Sequence, residues 1–112
     1  MDSKHRAWLY CRVDAPEDRN GVLKKQEKQL FEFSEQLGYQ PVGTSSDLGG
    51  NSNLEKLIQT AVKHFDVLLV GSLFHIHYDR NKAIQYVRQL QSLGVEVLSP
   101  LEGHIFTEEV PL

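Results

Sequence analysis

Two groups of residues have types and spacing that could do chemistry. Asp14 closes the apolar run Trp8-Leu9-Tyr10-Cys11-Arg12-Val13, which puts a carboxylate where a strand gives way to a loop. His75, His77 and Asp79 lie close together, and imidazole with carboxylate suits zinc or a similar ion and metal-assisted hydrolysis. Two histidines two apart, with no Cys or second His pair at ligand spacing, are weak for that purpose. The expected reading is a neutral loop, with no metal and no cofactor. Ser45, Ser46 and Ser52 have no histidine placed to activate them and read as turn formers. Gly49-Gly50 lacks the lysine that completes a phosphate-binding loop. Lys24, Lys25 and Lys28 share their segment with Glu27, Glu32 and Glu35, which makes a mixed solvated face rather than a DNA footprint. Cys11 is the only cysteine, so no intramolecular disulfide can form, and inside an apolar run it reads as a buried structural thiol.

The elements that must position these residues follow from periodicity. Residues 7–13 read as a buried strand. Residues 14–21, with Pro16, Asp18, Asn20 and Gly21, read as a loop. Val22, Leu23, Gln26, Leu30, Phe33 and Leu37 recur at helical spacing, and Gly38 stops the helix they define. Residues 41–44 make a short second strand, and residues 45–53 a flexible loop ending in Asn53 as N-cap. Leu54, Leu57, Ile58, Ala61 and Val62 form one face of a second helix. Residues 65–71 contain Val67-Leu68-Leu69-Val70, an unbroken apolar run that fits a strand buried on both faces. Residues 72–78 read as a loop. Asp79 caps a third helix to about Leu93, with Ala83, Ile84, Val87, Leu90 and Leu93 inward, and Gly94 ends it. A last strand over 95–98 precedes a tail over 99–112.

Strands alternating with helices predict an α/β fold: three layers, with a mainly parallel sheet of about four to five strands and helices on both faces. Its functional crevice should lie at the carboxyl ends of the strands, where residues 14–20, 45–53 and 72–79 gather. A phospho-acceptor role for Asp14, as in receiver domains, would need an acidic pair there and the acceptor after the third strand, which instead ends in Gly71-Ser72.

Bulk composition narrows the function classes. A chain of 112 residues with 40% hydrophobic content suits one compact domain. A formal net charge of −3 argues against strong autonomous DNA binding, because phosphate neutralisation supplies most of such affinity. The polar start Met1–Arg6 does not resemble a signal peptide, and no segment approaches the roughly 20 apolar residues of a membrane helix. A cytoplasmic protein without membrane contact is expected.

From Arg6 to Gly103 the chain resembles the catalytic domain of the serine recombinases, the resolvase and invertase family. The matching pieces are Tyr10-Cys11-Arg12-Val13, Leu23-Lys24-Lys25-Gln26, Leu37-Gly38-Tyr39, Asp47 with Gly49-Gly50, Phe65-Asp66-Val67-Leu68-Leu69-Val70 with Leu73, Leu93-Gly94-Val95, and Leu98 with Glu102-Gly103. The resemblance implies the resolvase-like fold and DNA strand exchange through a serine nucleophile with a cluster of arginines on the phosphate. Arg12, Gln26 and Asp47 stand at residual family site positions. The nucleophile position is Asp14. The family's Asp-Arg-Leu-Gly-Arg segment falls on Phe74-His75-Ile76-His77-Tyr78, so His75 and Tyr78 mark lost arginines, and Asn51-Ser52-Asn53 stands where another is expected. Family members continue into a long helix and a DNA-binding domain, whereas residues 1–112 read as a single catalytic-type domain without one.

The expected role is therefore a catalytically inactive, recombinase-like domain, of mobile-element type, that acts by association with itself or with an active recombinase. The alternatives are a fragment of an active recombinase, a metal-assisted hydrolase using Asp14 and the His75/His77 loop, and a regulator that binds DNA weakly.

Overall fold

A computed structural model describes residues 5–13, 21–48, 53–60 and 62–104. Asp14 and the loop around it, the Gly49-Gly50 pair, Ser52 and Ala61 lie outside the described residues, as does the tail beyond His104.

Strand β1 (Arg6–Val13) runs between β2 (Gln40–Leu48) and β3 (Val67–Val70); β4 (Glu96–Ser99) and β5 (Gly103–His104) follow. The sheet order is β2-β1-β3-β4-β5, the first four strands parallel and β5 antiparallel to β4. Side chains alternate across a strand, and β1 obeys this. Ala7, Leu9 and Cys11 join Leu30 of helix α1 (Val22–Leu37), with Val67, Leu69 and Leu98, in one cluster. Tyr10 joins the opposite cluster, with Leu68, Val70 and Val97 and with the helices α2 (Leu54–Thr60), α3 (Leu73–Ile76) and α4 (Arg80–Ser92). The three expected layers are present. A single turn of 3-10 helix, Val62–His64, follows α2. Among the described residues, no helix is long and apolar enough to cross a membrane.

Several boundaries differ from the sequence reading. The second strand extends from Gln40 to Leu48, so Ser45, Ser46 and Asp47 lie in a strand and not in a flexible loop. Their polarity suits an edge: β2 pairs only with β1 among the described residues, and its side chains alternate between exposed and half-buried until Asp47. The loop expected over 72–78 contains α3, whose first turn is held by Ser72 Oγ accepting from the Phe74 N–H at 3.2 Å. The expected tail contributes β5. Strand β3 is shorter than expected, although Phe65 remains buried, and β4 starts one residue late. In α1 the buried positions are Gln26, Leu30 and Ser34, while Val22 is exposed; Ser34 is tolerated there because its hydroxyl donates to the Tyr39 carbonyl at 3.1 Å. Leu93, expected inward, sits at the end of α4 and is half exposed.

Candidate functional site

The polar centre of the molecule forms where β1 and β2 run out at their carboxyl ends. Arg12 stands opposite Asp47 in the register, and Tyr10, two residues earlier, shares the face of Arg12. All three are buried. The Tyr10 hydroxyl donates to Asp47 Oδ2 at 2.5 Å, and Arg12 Nη1 donates to the Tyr10 oxygen at 3.1 Å. Arg12 Nη1 lies 4.0 Å from Asp47 Oδ2, completing an ion pair. Asn53, just before α2, donates its backbone N–H to both carboxylate oxygens at 3.0 and 2.8 Å, and its side-chain amide to Oδ1 at 2.7 Å. One carboxylate thus ties β1, β2 and the start of α2 together. Burial pushes the Tyr10 phenol well above its ordinary range, and the hydrogen bond to Asp47 adds to this, while Arg12 pulls the other way.

Gln26 acts on the backbone of the same strand. Its amide oxygen accepts from the Arg12 N–H at 3.0 Å, and its NH2 donates to the Arg12 carbonyl at 2.8 Å. Strand β3 ends at Val70, opposite Tyr10, so the Gln26 side chain supplies backbone pairing past the point where the neighbouring strand stops.

The sequence-predicted positions separate accordingly. Arg12, Gln26 and Asp47 come together. Asp14 falls outside the described residues. The His75 ring lies over Gly71, where an added Cβ would come within 2.6 Å of it. Tyr78 is 71% exposed, its ring 4.6 Å from that of His77. His77 Nδ1 accepts from the Asp79 N–H at 2.9 Å, while Asp79 caps α4 by accepting from the Asn81 N–H at 2.9 Å. Among the described residues, no three His, Cys, Asp or Glu side chains are grouped to hold a metal ion. Ser45 accepts from Trp8 Nε1 at 2.9 Å, a structural use of its hydroxyl. Cys11 is buried and its thiol is pushed up to about 11, chiefly by burial, with the nearby Glu27 charge adding.

Tyr10 and Asn53 are the members of the network that sequence reasoning missed. Tyr10 reads as one more apolar residue of a strand, and Asn53 as a helix cap. The signal for Tyr10 is its two-residue offset from Arg12, which puts phenol and guanidinium on one face. The Asn53 contact depends on how β2 enters α2, which no local pattern encodes. Glu102 has a comparable joining role: its carboxylate accepts from the Leu73 N–H at 3.1 Å and from Ser99 Oγ at 2.6 Å, tying the β4–β5 turn to α3.

This architecture is that of known recombination enzymes. The chain is similar to the N-terminal catalytic domain of TP901-1 integrase, with a TM-score of 0.75 and 20% identity over 88% of this chain and 79% of that one. It is similar to the C-terminal catalytic domain of ISC1926 TnpA, an IS607-like serine recombinase, with a TM-score of 0.71 and 23% identity over 84% and 69% of the two chains. A resolvase family site-specific recombinase from Streptococcus pneumoniae matches with a TM-score of 0.75 and 19% identity over 96% and 78%. The fold is therefore the resolvase-like α/β fold of serine recombinase catalytic domains, as the sequence resemblance implied. No protein-family model matches the sequence, and no curated protein matches it significantly.

Proposed function

We propose that this chain is a serine-recombinase-like domain that has lost strand-exchange chemistry and works by protein association, with a second copy or with an active recombinase of the same fold. The observation that carries the reading is the internal engagement of Arg12. Strand exchange needs cations free to meet the charge that develops on the phosphate in the transition state. Here the Arg12 side chain is 7% exposed and lies against Tyr10 and Asp47 inside the protein. The other implied cations are replaced by His75 and Tyr78, and the nucleophile position carries Asp14. A carboxylate about 4 Å from a phosphate is repelled by roughly 1 kcal/mol in water and by more in a drier site. Beside this dismantled chemistry the sheet keeps a buried apolar cluster on each face, which favours retention of the domain for its surface. Such a protein works in the cytoplasm beside DNA-bound partners and binds DNA weakly by itself.

Light scattering of the chain alone and with a recombinase of this fold tests the reading, together with incubation on supercoiled plasmid. The expected result is self-association or a mixed complex, with no nicking with or without zinc, manganese or magnesium. A monomer at every concentration that captures no recombinase would overturn it, and nicking would favour an active fragment or a metal-assisted hydrolase.

A further inference from the structure

A groove between α2 and α4 shares no residue with the Arg12–Asp47 network. Its volume is about 400 Å³, within the range of small-molecule sites. It is lined by Glu55 of α2, His77 of the α3–α4 connection, and Lys82, Gln85, Tyr86 and Gln89 of α4. The four α4 residues are spaced i, i+3, i+4, i+7, so they form one stripe along the helix. Although the whole chain carries a net charge of −3, the thirteen residues of α4 include Arg80, Lys82 and Arg88 and no acid.

Two of the lining rings are fixed in place. The Tyr86 hydroxyl donates to Glu55 Oε1 at 2.8 Å. His77 Nδ1 accepts the Asp79 N–H, which leaves Nε2 as the nitrogen that carries the proton of a neutral imidazole. The lining therefore offers an ammonium, two primary amides that both donate and accept, aromatic rings, and one carboxylate acceptor. A wholly apolar ligand would strip water from Lys82, Gln85 and Gln89 and offer them no hydrogen bond in return. A bare polyanion would meet the Glu55 carboxylate, and a simple cation would meet Lys82. A ligand that carries an anionic group, sugar hydroxyls and a flat heterocycle with amide-like edges matches the ammonium, the two amides and the rings together. Lysine suits a phosphate, amide side chains suit base edges, and aromatic rings suit stacking.

We propose that the α2–α4 groove binds a nucleotide, its phosphate directed to Lys82 and its base to the amides of Gln85 and Gln89. The proposal is independent of the association role. The same chemistry is offered by a free mononucleotide or by a nucleotide within a single strand.

The test is titration of the isotopically labelled full chain, followed by NMR, with AMP, GMP, CMP and UMP, with inorganic phosphate, and with short single-stranded oligonucleotides. At least one nucleotide is expected to shift the amides of α2 and α4 saturably. Lys82→Ala should weaken that binding about tenfold, the loss of one charge-assisted hydrogen bond. Gln85→Ala or Gln89→Ala should change which base is preferred. These three side chains are exposed, so the variants are expected to melt with the parent. Tighter binding of the oligonucleotide would assign the ligand to a strand, and tighter binding of the mononucleotide to a free metabolite. Absence of saturable shifts with every nucleotide and oligonucleotide would overturn the proposal. So would phosphate alone reproducing the affinity and the shifts.

Discussion

The Tyr10 hydroxyl donates to the Asp47 carboxylate at 2.5 Å, across two adjacent parallel strands and inside the protein. The same carboxylate faces Arg12 and takes two kinds of N–H from Asn53. A buried acid with this many donors holds its neighbours in place, and removing it leaves a guanidinium in low dielectric without its counter-charge. Tyr10→Phe should therefore cost about 1.5–3 kcal/mol, the range for a hydrogen bond to a charged group. Asp47→Ala should cost more, on the order of 3–5 kcal/mol. Urea unfolding of the two single variants and the double variant measures this, and the double should fall short of the sum because the residues share one bond.

The chain should lose stability in alkali in a defined window. The Cys11 thiol is raised from 9.0 to about 11 in the folded protein, and the Tyr10 phenol is raised as well. Between the unfolded and folded values the unfolded chain gives up a proton that the folded chain keeps, so stability falls as pH rises. It should be fully present below about pH 9, and Cys11 should remove on the order of 1.4 kcal/mol per pH unit from there to about pH 11. Tyr10 adds its own loss from about pH 10 upward. Denaturant midpoints measured from pH 7 to 11 should stay level up to about pH 10 in Cys11→Ala, whereas in Tyr10→Phe they should still fall from about pH 9 but less steeply than the parent above pH 10. For the same reason the native thiol should react slowly with a disulfide reagent and rapidly after unfolding.

Gly43 is demanded by space and not by backbone angle. It pairs with Trp8 in the register, and a Cβ there would overlap the indole ring. The ring also packs tilted against Phe65 at 5.6 Å, so it cannot swing away freely. Gly43→Ala should cost about 1–3 kcal/mol by overpacking. Trp8 is the only tryptophan, so its fluorescence reports the displacement directly. An unchanged spectrum and midpoint would contradict the close approach.

The legibility of this fold follows burial. Val67-Leu68-Leu69-Val70 reads as a central strand because both of its faces are covered, so every side chain must be apolar. The opposite case is β2, whose residues Ser45 to Asp47 look like a loop because an edge strand needs no apolar pattern to hold its backbone pairing. Helix α3 is one turn long, held by Ser72 and by the distant Glu102, and carries no period of its own. In the site, Arg12, Gln26 and Asp47 were visible through the family resemblance. Their chemistry was not, because whether a buried arginine faces a ligand or a carboxylate depends on contacts such as that between Asn53 and Asp47, made across elements.

A serine placed at position 14 should not by itself produce strand exchange. Asp14→Ser would remove the carboxylate and supply a hydroxyl at the position the resemblance implies. The attack would still need several cations around the phosphate, and loss of even one such preorganised group costs on the order of 10² to 10³ in rate. Arg12 is committed to Tyr10 and Asp47, and His75 and Tyr78 offer no permanent charge at the other implied positions. Asp14→Ser should therefore leave supercoiled plasmid intact. Adding Tyr10→Phe removes one of the Arg12 partners but keeps Asp47, so the double variant should be equally inert. A covalent protein–DNA adduct through the introduced hydroxyl in either variant, seen as a shifted band after denaturation, would show that Arg12 can leave its pocket.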